Sequence, residues 1–366
     1  MRMLSKPTLW RRLQPAGSRL VSTPAPVRVP ARHAGVRAPR RFVMALILSQ
    51  LLLAALAAPP EAALRGPVSG FVVDSRSQMM RPINGIPGAA LLGPPLETPF
   101  RLKRAVFSKN GDFALAVADD DGGVLLVRGL RDPQPAATPL SVVMADPPWI
   151  LLNATDSAAA LYWDSTRQLQ ILSGLPDRPT AGPAIDVSSL RGSVAAMALD
   201  AAGRCVLLGM ADPAAGGVFA VCAAEPTAPR FLASSPAPSA IACTNGESDA
   251  VIADRSLNQV MLLRNWQGST EPLLIATASQ GISTPVGLQL SGDEKQLFVA
   301  NAGNNSITVL DLTGASPAKT LSMPAPPTRL ERLSGKGVFL LNDGAAGPLF
   351  LLDETGENGI YFVPID

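Results

Sequence analysis

Seven residues with carboxylate or amide side chains recur along the chain at nearly even spacing. They are Asp74, Asp119, Asp164, Asp212, Asp254, Asn301 and Asp343, separated by 45, 45, 48, 42, 47 and 42 residues. Asp121 belongs with the second of them, where Asp119, Asp120 and Asp121 are consecutive. Gathered on one surface, such groups could take up a hard cation such as Ca²⁺ or Mg²⁺, or hydrogen-bond a polar ligand. The same residue types also make turns, because Asp and Asn side chains bond the backbone two residues on. The calcium-loop pattern is not met, since Asp119–Gly122 lacks the alternation of ligands and the distal Glu. The run NAGNN, Asn301 to Asn305, offers amides suited to a sugar or to a turn.

Other chemistry is excluded by composition. The chain has one histidine, His33, near its N-terminus. A mature protein without that stretch has no Ser-His-Asp or Cys-His catalysis and no metal site built on imidazole. Neither phosphate-loop pattern, G-x-x-x-x-G-K-S/T nor G-x-G-x-x-G, occurs between a strand and a helix. Ten of the 31 basic residues lie in residues 1–57, which hold no Asp or Glu. The remaining 21 face 29 acidic residues, a net charge of −8 for the body. An acidic body argues against nucleic acid as a partner. Trp149, Trp163 and Trp266 fall within or beside apolar segments and read as packing rather than as a stacking platform.

The N-terminus reads as an address. Arg37, Arg40 and Arg41 precede the apolar run FVMALILSQLLLAALAA at 42–58, and Ala55-Leu56-Ala57 is a small-residue cleavage site. This order is that of a secretory signal peptide, and the run is short for a membrane span of about 20 residues. Residues 1–57 are therefore expected to be an N-terminal extension and signal peptide, with a start near Val36 giving a signal of ordinary length. The expected location is secreted or periplasmic, with no membrane association after cleavage. In such an oxidising compartment Cys205 and Cys222, which flank the turn DPAAGG, could form a cross-strand disulfide or stand as two small buried residues. Cys243 has no evident partner.

The even spacing implies repeated elements that position the seven residues. Each marker ends an apolar segment and is followed by a polar turn and a second apolar segment, as in ALAVADDDGGVLLV, VIADRSLNQVMLL and LFVANAGNNSITVLDL. That is a β-hairpin. Another short apolar strand lies about 14 residues before most markers: AVFS at 105–108, WILL at 149–152, AAMAL at 195–199, AIAC at 240–243 and VGLQL at 286–290. A fourth follows several hairpins, as PLLIA at 272–276 and KTLSM at 319–323. Four short antiparallel strands per repeat describe a propeller blade. The expectation is an all-β chain with residues 58–366 as a single β-propeller domain, seven-bladed, the alternative being six blades plus an N-terminal hairpin.

Residues 297–313, LFVANAGNNSITVLDLT, resemble the YVTN family of β-propeller repeats found in secreted bacterial proteins, in which a strand ending in x-N meets a second ending in I-D. The resemblance implies a propeller and carries no catalytic motif. Closure leaves a choice. The first hairpin has no inner strand before it within the mature chain, and IYFV at 360–363 either ends the last blade or completes the first. Spacing favours the former, with one blade a strand short. The functional expectation is an exported, monomeric, non-catalytic propeller that binds a protein or glycan and needs no cofactor. The alternative is a histidine-free enzyme, lactonase-like or lyase-like, with Ca²⁺ or Mg²⁺ held by oxygen ligands.

Overall fold

Each repeat forms a sheet because its strands are short, apolar runs, largely of Ala, Leu and Val, bounded by turns that carry Asp, Asn and Gly. The computed structural model describes residues 66–141, 143–246, 249–268, 271–333, 337–343, 347–355 and 358–365. The segment read as an export signal lies outside the described residues.

Seven antiparallel sheets follow one another along the chain, and they are the seven blades of a propeller. Blade 2 is typical: an inner strand Leu102–Phe107, a second Phe113–Ala118, a third Val124–Arg128 and an outer Ala136–Pro139, paired in that order. Blade 4 comprises Ser193–Leu199, Cys205–Ala211, Gly217–Cys222 and Glu225–Ser234. Blade 5 comprises Pro238–Cys243, Ala250–Asp254, Gln259–Leu263 and Pro272–Ala276. Blade 6 comprises Pro285–Leu290, Gln296–Asn301, Ser306–Asp311 and Lys319–Ser322. In blade 3 the strands Trp149–Leu152, Ala158–Trp163 and Gln168–Ser173 are followed by two fragments, Thr180–Ala181 and Ile185–Asp186, which both pair with the third strand. Among the described residues blade 1 has three strands, Val68–Asp74, Met79–Asn84 and Leu91–Leu92. Gly359–Val363 is the outer strand of blade 7, after Glu331–Arg332, Val338–Leu340 and Leu349–Asp353. The ring thus has seven blades, with the first a strand short among the described residues. The single helical turn among them is Ala278–Gln280, capped by Thr277.

Side chains alternate across each strand, so every blade offers an apolar face to both neighbours. In blade 4, Val206, Leu208 and Met210 pack toward blade 3, while Leu207 packs toward blade 5. Each of the seven joints has its own buried cluster. The seventh closes the ring: Val72, Ile83 and Leu92 of blade 1 pack on Leu340, Leu351 and Val363 of blade 7. The blades that carry Asp74 and Asp343 are therefore side by side.

Guanidinium groups staple neighbouring blades by donating to backbone carbonyls. Arg104 of blade 2 reaches Pro147 O at 2.5 Å, and Arg167 of blade 3 reaches Gly192 O at 2.6 Å. Arg230 of blade 4 reaches Gly268 O at 2.6 Å and also Trp266 O. Arg332 of blade 7 bonds Leu290 O of blade 6 and lies over the Phe339 ring at 4.6 Å.

One joint has no space for a methyl group. A Cβ on Gly287 would stand 2.7 Å from Leu330 Cβ and 2.8 Å from Leu330 N. Because one of these is backbone, the loop itself would have to shift. Gly287→Ala is expected to destabilise the protein by about 1–3 kcal/mol. Calorimetry should show a lower Tm than the wild type.

Candidate functional site

The alternation of strands puts the turn between second and third strands on the same face as the loop that enters each inner strand. This is the face of the seven markers. Register places three of them at the last pair before the turn: Asp74 opposite Met79, Asp254 opposite Gln259 and Asn301 opposite Ser306. Asp119, Asp164 and Asp212 follow directly on Ala118, Trp163 and Ala211.

Much of the polar capacity of these side chains is committed to the turns themselves. Asp74 accepts from Arg76 N at 3.0 Å and Ser77 Oγ at 2.9 Å, and pairs with Arg81 at 3.4 Å. Asp212 accepts from Ala214 N at 2.9 Å. Asp254 is fully buried and accepts five bonds: Ser235 Oγ at 2.6 Å and Ala237 N at 3.0 Å on Oδ2, and Ser256 N, Ser256 Oγ and Leu257 N at 2.7–2.9 Å on Oδ1. Burial pushes the Asp254 carboxyl up, but those donors outweigh it and hold it below its usual range. Asp74 is lowered by the same balance, its donors being Arg76, Ser77 and Arg81. Asn301 is also buried; it accepts from Ser283 N at 3.0 Å and donates to Thr308 Oγ1 at 2.9 Å. The NAGNN run is therefore a folded turn, with Asn304 exposed. In blade 7 Asn342, one residue before Asp343, donates to Pro348 O at 2.9 Å and accepts from Phe350 N at 2.8 Å.

Blade 2 differs. Asp120 and Asp121 are exposed and Asp119 is half-exposed. Asp121 Oδ1 accepts from Gly123 N at 2.7 Å, and Gly122 takes a φ of 70°, open to glycine. The entry loop of blade 3 closes on this turn, with Asp146 N donating to Gly122 O at 2.7 Å. Asp146 in turn meets Lys103 Nζ at 3.1 Å. The result is an acidic lip, Asp119, Asp120, Asp121 and Asp146, holding one lysine at its inner edge.

The markers stand one per blade around the ring and do not converge. Among the described residues no group of three or more His, Cys, Asp or Glu is placed to hold a metal ion. The three tryptophans pack at three different joints: Trp163 is buried between blades 2 and 3, its Nε1 donating to Ala145 O at 2.9 Å, Trp266 is buried between blades 4 and 5, and Trp149 packs between blades 3 and 4. Cys205 and Cys222 are directly opposite in the blade 4 hairpin and are joined by a disulfide.

The opposite face carries a second repeated device. In blades 2 to 6 a polar residue starts the turn from inner to second strand and accepts N–H groups that close it. Ser108 accepts from Asp112 N and Phe113 N, Asn153 from Ser157 N and Ala158 N, and Asp200 from Arg204 N and Cys205 N. Thr244 and Ser291 do the same for Asp249 N and Gln296 N. The segments SKNGDF, NATDSA, DAAGRC and SGDEKQ show the pattern once aligned on the strand that follows. These turns also clasp one another: Lys109 N donates to Asp156 at 2.7 Å, Asn153 Nδ2 to Ala201 O at 2.7 Å and Asn245 N to Glu294 at 2.6 Å. A hollow of about 450 Å³ opens on this face between blades 6 and 7, lined by Asp293, Gln296, Asp311 and Glu354 among others. Its carboxylates too are bonded to turn donors, Ser291 Oγ on Asp293, Thr313 N on Asp311 and Gly292 N on Glu354.

No protein-family model matches the chain, and no curated protein matches it. Solved structures do. A candidate 6-phosphogluconolactonase from Bacteroides fragilis superposes with a TM-score of 0.56 at 11% identity, over 82% of this chain and 94% of that one. The virginiamycin B lyase of Staphylococcus aureus gives 0.52 at 12% identity, over 72% and 83%. Hydrazine synthase of Kuenenia stuttgartiensis gives 0.52 at 10% identity, over 84% and 99%. At such identities the likeness is one of fold.

Proposed function

We propose that this chain is an exported, non-catalytic binding propeller, monomeric, whose marker-turn face receives a protein or glycan partner. The observation that carries the reading is the clustering of carboxylates in blade 2. Asp254 is buried and Asp74 and Asp212 stand singly in their turns, whereas the lip of Asp119, Asp120, Asp121 and Asp146 is an exposed concentration of charge on that face. A rigid ring with a fixed charged rim suits recognition, because little ordering is needed on binding. Export rests on the signal-peptide pattern of residues 37–58, and the repeat at 297–313 supports kinship with secreted YVTN-type propellers. Fold likeness to a lyase and a candidate lactonase does not carry their chemistry over. The Staphylococcus aureus lyase loses catalysis when one histidine is replaced by alanine, whereas the histidine of this chain is His33, in the segment read as removed.

The test compares wild type with the triple variant Asp119→Asn, Asp120→Asn, Asp121→Asn. Partners are captured by cross-linking in the cell envelope and by binding to a glycan array. At least a tenfold loss of the captured partner in the variant is expected. Equal capture by both proteins overturns the assignment of the face. A stoichiometric Ca²⁺ or Mg²⁺ in the purified protein, or turnover of a lactone, overturns the non-catalytic reading. N-terminal sequencing of exported protein should begin near Ala58, and retention of residues 1–35 would remove the export part.

A further inference from the structure

All three cysteines of the body lie at one end of one blade joint, although 38 residues separate the first from the last. Cys205 and Cys243 both pack against the apolar cluster between blades 4 and 5. Register explains this. Cys205 lies two residues before Leu207, Cys222 two after Ala220 and Cys243 two after Ile241, and those three residues belong to the same cluster. By strand alternation all three sulfurs face that joint. The inner strand of blade 5, which ends in Cys243, packs on the inner and second strands of blade 4, and the second begins with Cys205.

A buried carboxylate completes the arrangement. Asp200 is 1% exposed. Its Oδ1 accepts from Arg204 N at 2.6 Å and Cys205 N at 3.0 Å. Its Oδ2 is buried and makes no hydrogen bond. Burial, and then the negative charge of Asp200, push the Cys243 thiol up to about 12. Among the described residues, Arg204 and Glu225 at this end are exposed, Asp249 accepts from Asn265 N at 2.8 Å, and Arg230 and Asp254 of the same blades are engaged elsewhere, with Trp266 O and with Ser235 Oγ. Since the thiolate is the nucleophile in exchange, a neighbouring anion that keeps the thiol protonated also keeps it inert.

We propose that these residues form a guarded exchange site: Cys243 is placed to displace Cys222 from its bond with Cys205, and the buried carboxylate of Asp200, at the same end of the joint, restrains that exchange. In the exchange, Cys243 loses its proton to solvent and its sulfur attacks Cys205 Sγ. The Cys205–Cys243 bond forms, the Cys205–Cys222 bond breaks, and Cys222 leaves as a thiolate that takes up a proton. No oxidant or reductant is consumed. The guarded state ties two strands of blade 4 together, and the exchanged state ties blade 4 to blade 5. Asp200 acts through Cys243 and is a positioning residue.

Asn153 shows that the turn tolerates an amide, since its Oδ1 accepts Ser157 N and Ala158 N as Asp200 accepts its own pair. Asp200→Asn therefore keeps the turn bonds and removes the charge. The full chain is incubated at pH 8 to 9, quenched in acid, alkylated and mapped by mass spectrometry without reduction. The Cys205–Cys243 peptide should form at least tenfold faster in Asp200→Asn than in wild type, and its rate should rise with pH. Adding Cys243→Ser should leave only Cys205–Cys222. A folded Asp200→Asn protein that forms the new bond no faster than wild type overturns the guard role. Cys222→Ser tests placement independently, in a chain that keeps Asp200. Oxidised glutathione should drive it to a Cys205–Cys243 bond while circular dichroism stays native. Two glutathionylated cysteines in its place overturn the exchange itself.

Discussion

Asp254→Ala is expected to destabilise the ring by about 3 kcal/mol or more. Five donors converge on this fully buried carboxylate, and two of them, Ser235 Oγ and Ala237 N, come from the loop that enters blade 5. Alanine would leave them without acceptors, and each buried orphan donor costs about 1–3 kcal/mol. Chemical denaturation should show a lower midpoint with an unchanged slope. The same site gives a signed pH dependence. The folded-state pKa of Asp254 is depressed, so its contribution is present above the unfolded-state value and is lost as pH falls through the folded value. Wild-type stability should therefore begin to fall below about pH 4. Asp254→Asn, already weakened, should show a shallower decline. A variant that keeps the wild-type acid slope would assign that slope to other carboxylates such as Asp74.

Deleting residues 66–92 is expected to unfold the whole protein rather than trim it. The deletion removes Val72, Ile83 and Leu92 from the joint with blade 7, and Phe71 and Met80 from the joint with blade 2. Uncovering large buried apolar side chains costs about 2–5 kcal/mol each. Two joints of this size match or exceed the 5–15 kcal/mol that an ordinary folded protein has in hand. Circular dichroism at 25 °C should show loss of the native β signal. A truncated protein with a cooperative melt near the wild-type Tm would mean that six blades close without the first.

The hairpins were legible because each places an Asp or Asn between two apolar strands, and turn chemistry is local. WILL, PLLIA and KTLSM coincide with or fall within one residue of observed strands for the same reason. The seven-fold count followed from the spacing of those turns. The letters of the markers fit both a ligand face and plain turn chemistry, and their positions on one face follow from the hairpins. What the side chains do there was not legible: a five-donor carboxylate such as Asp254 and an exposed one such as Asp164 are written with the same letter. The opposite face was missed because Ser108, Asn153, Asp200, Thr244 and Ser291 differ in type while performing one task. Only alignment on the following strand brings them together. The meeting of Cys243 with Cys205 and Cys222 depends on the joint between two blades. No spacing in the chain encodes that joint, because it arises from strand parity in two separate sheets.

The arginine staples between blades separate two responses to salt. Arg104, Arg167, Arg230 and Arg332 bind neutral carbonyls at short range in partly buried positions, where mobile ions screen little. Acidic side chains are therefore not drawn into the joints to pair with them, and carboxylates such as Asp119, Asp120 and Asp121 stay at the surface of a body whose net charge is −8. Added salt collapses the reach of that surface field to a few ångströms while leaving the joints intact. Capture of a cationic partner should slow steeply with ionic strength, and the melting temperature should hardly move.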